Sequence, residues 1–178
     1  MAMTVGAIAL MVLETEPVRP TAHPLEVVGP PPAGAGKVVY DTRVPLQAIL
    51  WRNVVIHASP ARSDRLARGC HFVIDPASSG DARIAATEYW RSQRAGTHIG
   101  RPWQDSSIGI CLIGDFSRRP PTRRQFDALV ELVHLLQGTC NISADHVYLH
   151  SDLVARSASP GPAFPAEELS ARLLRPTR

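Results

Sequence analysis

The chain has 178 residues, about the size of one domain. Hydrophobic residues make up 44% of it and charged residues 20%, which excludes a fully disordered chain, a collagen-like fibre and a polytopic membrane protein. The formal net charge is only +3, and so small an excess predicts no nucleic-acid partner. The 3 cysteines form no CxxC pair, which excludes a zinc ribbon or a thioredoxin motif.

The N-terminal part of the chain divides into two segments of different composition. Residues 5–13 are an apolar run, too short for the roughly 20 residues that span a bilayer. A signal peptide could contain such a run, but no Lys or Arg precedes it and no small-x-small cleavage site follows closely. The alternatives are an export signal or anchor, an N-terminal strand or helix packed on the domain, and an incorrectly chosen start codon. Residues 17–36 are Pro-rich, as in a linker. We therefore predict a leader and linker over 1–36 and a folded domain over 37–178.

Short apolar segments predict the strands of this domain. They are 53–56 (NVVI), 70–74 (CHFVI), 83–90 (RIAATEYW), 108–114 (IGICLIG) and 147–149 (VYL). A turn is predicted at 78–81 (SSGD). The segment 108–114 is apolar enough to lie in the centre of a sheet, where both faces are covered.

One long helix is predicted over 122–137. Thr122 and Gln125 have the spacing of a capping box, and apolar residues then recur at helical spacing up to Gly138, a stop signal. A terminal helix is predicted over 165–174. Strands that alternate with helices indicate a layered α/β domain.

Two histidines follow apolar strands directly. His57 ends the first predicted strand and His150 follows the last one. The carboxyl ends of strands are where α/β folds place ligand sites. Neutral imidazoles suit zinc, which in catalytic sites takes about three protein ligands and leaves one position open. A structural role for each histidine is the alternative.

Several longer motifs occur in a characteristic order. They are VVIHAS (54–59), GCHFVID (69–75), GTHIG (96–100), SIGICLIGDFSRRPPT (107–122), LHSDLV (149–154) and SPGPAFP (159–165). In this order they resemble the zinc-dependent N-acetylmuramoyl-L-alanine amidases, a group that includes type-2 bacterial amidases, phage amidase lysozymes and peptidoglycan recognition proteins. The resemblance runs from about Trp51 to Pro165.

The resemblance implies a single α/β domain with a central mixed sheet flanked by helices and a zinc ion in a groove on one side. It implies hydrolysis of the amide that joins the lactyl group of N-acetylmuramic acid to L-alanine of the stem peptide. Peptidoglycan or muropeptides are then the expected partners. We expect a monomer, and a cell-wall substrate favours export or a place in the cell envelope.

The resemblance also implies roles for individual residues. His57 and His150 match two zinc ligands, and Ser159 occupies the third position, where the family has Cys-Pro-Gly or Asp-Pro-Gly. Cys70 stands where the family often has a catalytic Tyr, and Ser157 where it has Lys or Thr. The substrate-binding positions that the resemblance implies are His71 and His98.

Three departures from the family pattern bear on activity. Ser159 brings a neutral hydroxyl in place of an anionic ligand, and Cys70 is shorter than Tyr. The segment between His57 and His71 is also shorter than is usual for the family. A zinc amidase, a peptidoglycan-binding protein without turnover and a purely structural domain therefore remain alternatives.

Two residues could replace the missing anionic ligand. Asp152 lies two positions after His150, and its carboxylate could reach the metal or have only a structural role. Cys70 could supply a relocated thiolate.

Overall fold

The computed structural model describes residues 35–76 and 82–175. The predicted turn at 78–81 and nearly all of the predicted leader and linker lie outside these residues. The predicted domain boundary at 36/37 stays a prediction.

A five-stranded mixed sheet forms the centre of the domain, with strand order β3-β2-β4-β1-β5. Adjacent strands are parallel except for β3, which runs antiparallel to β2. This confirms the predicted α/β class. The strands are β1 (Asn53–Ser59), β2 (Phe72–Asp75), β3 (Arg83–Ala86), β4 (Ser107–Ile113) and β5 (Val147–Leu149).

Helices connect and cover the strands. They are α1 (Ala35–Val39), α2 (Arg65–Gly69), α3 (Glu88–Arg91), α4 (Arg123–Cys140), α5 (His150–Leu153) and α6 (Ala166–Arg172). Within the described ranges, none of these helices has the length and hydropathy needed to cross a membrane.

The central strand is β4, as its apolar composition predicts. It pairs with both β1 and β2. Side chains alternate between the two faces of a strand, and paired residues of parallel strands share a face. Ile56 and its partner Ile110 belong to the main core together with the apolar face of α4. His57 and its partner Cys111 therefore point to the opposite face, where the candidate site lies.

Helix α4 begins at its predicted cap but ends later than predicted. The Thr122 hydroxyl accepts a hydrogen bond from the Gln125 amide at 3.2 Å. The Gln125 side chain does not complete the capping box, because it donates to backbone carbonyls at the ends of β2 and β4. The helix continues through exposed Gly138 so that Cys140 is buried in the core, and Asn141 ends it in the left-handed conformation at φ 54°.

The prediction of one strand over 83–90 is wrong in its second half. Strand β3 ends before Thr87, and α3 follows. The Thr87 hydroxyl donates to the Cys70 carbonyl at 2.7 Å, and this contact holds the chain where it turns into the helix. Helix α3 then places the Trp90 ring in the core, fully buried. The terminal helix also differs from its prediction, because α6 covers only the middle of 165–174.

Candidate functional site

Four histidines gather on the face of the sheet opposite α4. His57 lies on β1, His71 directly before β2, and His98 in the loop before β4, while His150 is the first residue of α5. The ring centroid of His57 lies 5.0 Å from that of His98 and 4.6 Å from that of His150. The rings of His71 and His98 are 5.4 Å apart. The two predicted histidines thus lie in one cluster with two further imidazoles, but β1 does not end at His57 as predicted, because its pairing with β4 continues to Ser59.

His57 is fully buried, with no exposed surface. Its Nε2 lies 3.0 Å from Nδ1 of His98, whereas its Nδ1 has no hydrogen-bond partner. Burial, with smaller contributions from His98 and His150, holds the pKa of His57 well below its usual range. The ring is therefore neutral, and a neutral imidazole is the form that binds metals.

His71 is held by the main chain on both sides of its ring. Its Nδ1 accepts a hydrogen bond from the Gly109 amide at 2.9 Å, and its Nε2 lies 3.0 Å from the Arg94 carbonyl. Burial is the main cause that lowers the pKa of His71 to about 3. Since both ring nitrogens have main-chain partners, these contacts do not favour the predicted substrate-binding role, which stays a prediction.

The loop after α5 brings two serines to the histidines. Nδ1 of His150 lies 2.7 Å from Oγ of Ser157, which also accepts a hydrogen bond from the Ser159 amide at 3.2 Å. The Ser159 hydroxyl accepts from the amide of Ala58, the neighbour of His57, at 3.0 Å. The structure thus brings together the three predicted metal positions and Ser157.

Cys70 lies in a different cluster. Its thiol is buried with Ala67 and Cys111. Burial, reinforced by the Cys111 thiol, raises the pKa of Cys70 well above its usual range. The thiolate is therefore disfavoured, and a buried thiol is not accessible to substrate. The roles predicted for Cys70, in catalysis or as a relocated ligand, stay predictions that this packing does not favour.

The donor set fits zinc in two positions and departs from it in the third. A buried Nδ1 without a partner on His57 and the neighbouring ring of His150 supply two imidazole donors. Over residues 35–76 and 82–175, however, no three His, Cys, Asp or Glu side chains are arranged to hold a metal ion. The Asp152 carboxylate accepts from the Leu149 amide at 2.8 Å and so caps α5, which supports its structural interpretation. Ser159 as the third donor stays a prediction.

Sequence reasoning missed one feature that shapes the site. Gly109 lies in the middle of β4, and a Cβ built there would stand 2.5 Å from Cγ and Cδ2 of His98. Glycine inside a strand often marks the close approach of another group. The glycine in SIGIC was therefore the available signal that a side chain lies over this strand.

Comparison with known proteins gives the family. The family model for N-acetylmuramoyl-L-alanine amidase matches residues 47–162, which is more than half of the chain. The chain belongs to the N-acetylmuramoyl-L-alanine amidase family. The matched residues include His57, His150 and Ser159, so the whole candidate site lies within this amidase domain.

One curated relative is similar over part of the domain. Peptidoglycan-recognition protein 1 of Holotrichia diomphalia is 31% identical over 91 residues, which are 51% of this chain and 43% of that relative. The chain thus matches less than half of this relative's length.

Solved amidase structures share the fold. The endolysin amidase LysCS of Clostridium intestinale URNW superimposes with a TM-score of 0.57 at 23% identity, over 70% of this chain and 84% of its own. AmiD of E. coli, described in complex with its substrate anhydro-N-acetylmuramic acid-L-Ala-D-gamma-Glu-L-Lys, gives a TM-score of 0.57 at 23% identity, over 73% of this chain and 61% of its own.

Proposed function

We propose that this chain acts on peptidoglycan as a zinc-dependent N-acetylmuramoyl-L-alanine amidase, which hydrolyses the amide between the lactyl group and L-alanine. The observation that carries the proposal is the buried Nδ1 of His57, which has no partner and lies beside His150. An unsatisfied buried polar atom costs about 1–3 kcal/mol, and a bound cation would remove that cost. The muropeptide described with AmiD, a protein of the same fold, supports the choice of substrate.

His57, His150 and Ser159 would hold the zinc ion. When bound, zinc supplies a Lewis acid that activates water and polarises the scissile carbonyl. The chain's own residues prepare the site for it. Burial lowers the pKa of both His57 and His150, which keeps the two imidazoles neutral. The hydrogen bond between Nδ1 of His150 and Oγ of Ser157 fixes the orientation of the His150 ring.

A second candidate function is peptidoglycan binding without turnover. The Ser159 hydroxyl favours it, because this group is neutral and already accepts a hydrogen bond from the Ala58 amide. Such a donor brings less charge to zinc than a thiolate or carboxylate does. The burial of Cys70 also leaves the family's usual Tyr position without an accessible polar group.

One experiment separates the two functions. Zinc stoichiometry is measured on the purified chain, and release of stem peptide from muropeptides is followed with and without added zinc. The amidase proposal expects about one zinc ion per chain and release that a chelator abolishes. Zinc-free protein that binds muropeptides but releases no stem peptide would select the second function.

Ser159→Cys tests the third ligand directly. A thiolate at this position should tighten zinc binding by at least about tenfold, as expected when an anionic donor replaces a neutral one. Ser170→Cys is the matched control, since Ser170 is exposed on α6. Zinc affinity that is equal in Ser159→Cys and in the wild-type chain would show that Ser159 is not the third ligand.

A further inference from the structure

A chain of hydrogen bonds fixes which nitrogen of His57 carries its proton. Nε2 of His98 lies 3.2 Å from the Ser107 carbonyl. A carbonyl only accepts hydrogen bonds, so in the neutral ring of His98 Nε2 holds the proton and Nδ1 is an acceptor. That Nδ1 lies 3.0 Å from Nε2 of His57, which must therefore donate. The proton of His57 is then on Nε2, and its buried Nδ1 presents a lone pair.

The surroundings of His98 fix its ring in place. Its imidazole lies over Gly109, where a Cβ would come within 2.5 Å of it, and beside Gly96, where a Cβ would come within 2.8 Å. The ring of His71 packs against another side of His98, with 5.4 Å between the two ring centroids, and is itself fixed by two hydrogen bonds to the main chain. Because His98 is only 3% exposed, it has almost no surface to offer a substrate.

We infer that His98 is a positioning residue for His57: it sets the tautomer and orientation of that ring so that Nδ1 faces the metal site. The inference rests on the proposed function for the metal, whereas the tautomer is a property of the protein alone. It also gives His98 a role different from the predicted contact with substrate. Orienting partners of this kind typically contribute 10- to 100-fold to metal affinity.

The tautomer is tested by ¹⁵N NMR of the imidazoles in the metal-free full chain. We expect the wild-type chain to show His57 protonated at Nε2, with a protected proton and scalar coupling across the hydrogen bond to Nδ1 of His98. His98→Ala should lose the protected proton. His146→Ala is the control, because His146 is exposed and lies outside the hydrogen-bond chain. Protonation of His57 at Nδ1 in the wild-type chain would overturn the inference.

Two polar variants separate the acceptor function of His98 from its bulk. Asn places an oxygen near the position of Nδ1, so His98→Asn keeps the acceptor for His57. Gln places its amide near the position of Nε2, so His98→Gln keeps only the contact with the Ser107 carbonyl. We expect the His57 proton to remain protected in His98→Asn and to be lost in His98→Gln. This pair also serves if His98→Ala fails to fold.

Zinc affinity, measured by competition with a chelator, gives a second readout. His98→Ala and His98→Gln should bind zinc about 10- to 100-fold more weakly than the wild-type chain, and His98→Asn should stay within a few-fold of it. Equal affinity in all four proteins would refute the role of His98 while leaving the zinc site intact. If the wild-type chain binds no zinc, the proposed function fails, and the NMR result alone decides the role of His98.

Discussion

Acidification from pH 7 to pH 5 should destabilise the fold through its buried histidines. Burial lowers the pKa of His71 to about 3 and that of His98 to about 4, against an ordinary value of about 6.5. Between the lowered and the ordinary pKa, the unfolded chain binds protons that the native chain does not bind. The stability contributed by the neutral histidines is therefore complete above about pH 6.5 and is lost progressively as the pH falls from there toward the lowered pKa values.

The size of the effect follows from the two pKa values. Each histidine should lower the free energy of unfolding by about 2 kcal/mol between pH 7 and pH 5, so that His71 and His98 together remove about 4 kcal/mol. A typical domain is stable by only about 5–15 kcal/mol. His57 and His150 act in the same direction, because burial lowers the pKa of both.

Urea denaturation followed by circular dichroism at pH 7, 6 and 5 measures this loss. The carboxylates with lowered pKa, Asp64, Asp115 and Asp127, exert their effect at more acidic pH. Glu131 has the opposite sign, because burial raises the pKa of its carboxyl, so Glu131→Gln is measured in parallel. His98→Asn removes one buried titrating group and should reduce the loss by about 2 kcal/mol. A change below about 1 kcal/mol in the wild-type chain would refute the reasoning.

Three further variants or reagents test the fold around the site. Thr122→Ala removes the N-cap of α4 and should lower the free energy of unfolding, measured by urea denaturation, by about 1 kcal/mol. Thr139→Ala, in the last turn of the same helix, is the control and should lower it less. Gly109→Ala should destabilise the chain by about 1–3 kcal/mol, because the new Cβ displaces the His98 ring that lies over β4. The Nε2 proton of His57 should then lose its protection, and an unchanged NMR spectrum would contradict this. Cys70 should react with a thiol reagent at pH 8 only after denaturation, because its thiol is buried and its pKa is raised. Rapid labelling of Cys70 in the native chain would show that its thiol is not packed as described.

The fold was predictable where one pattern dominated a segment. The run 108–114 is uniformly apolar and is the central strand, and the long helix shows its period over several turns. The prediction failed where tertiary contacts decided between short alternatives. Nothing local in 83–90 shows that Thr87 bonds to the Cys70 carbonyl and that the chain then turns into a helix. Gly138 is a stop signal by propensity, but the helix continues for another three residues beyond 137, as far as the buried Cys140.

The convergence of the two strand-end histidines was predictable for a geometric reason. Strands β1 and β5 are parallel neighbours, and Ile56 pairs with Leu149, each one residue before its histidine. The next residues, His57 and His150, therefore lie side by side, although β1 continues past His57 to Ser59 and only β5 ends before its histidine. The place of His98 had no such basis, because a loop residue can lie anywhere above the sheet. Only Gly109 marked it, since a central strand that lacks a side chain on its functional face leaves room for a ring from elsewhere. The same glycine donates its amide to Nδ1 of His71, so one residue contacts both His71 and His98, and we infer that His98 in turn orients His57.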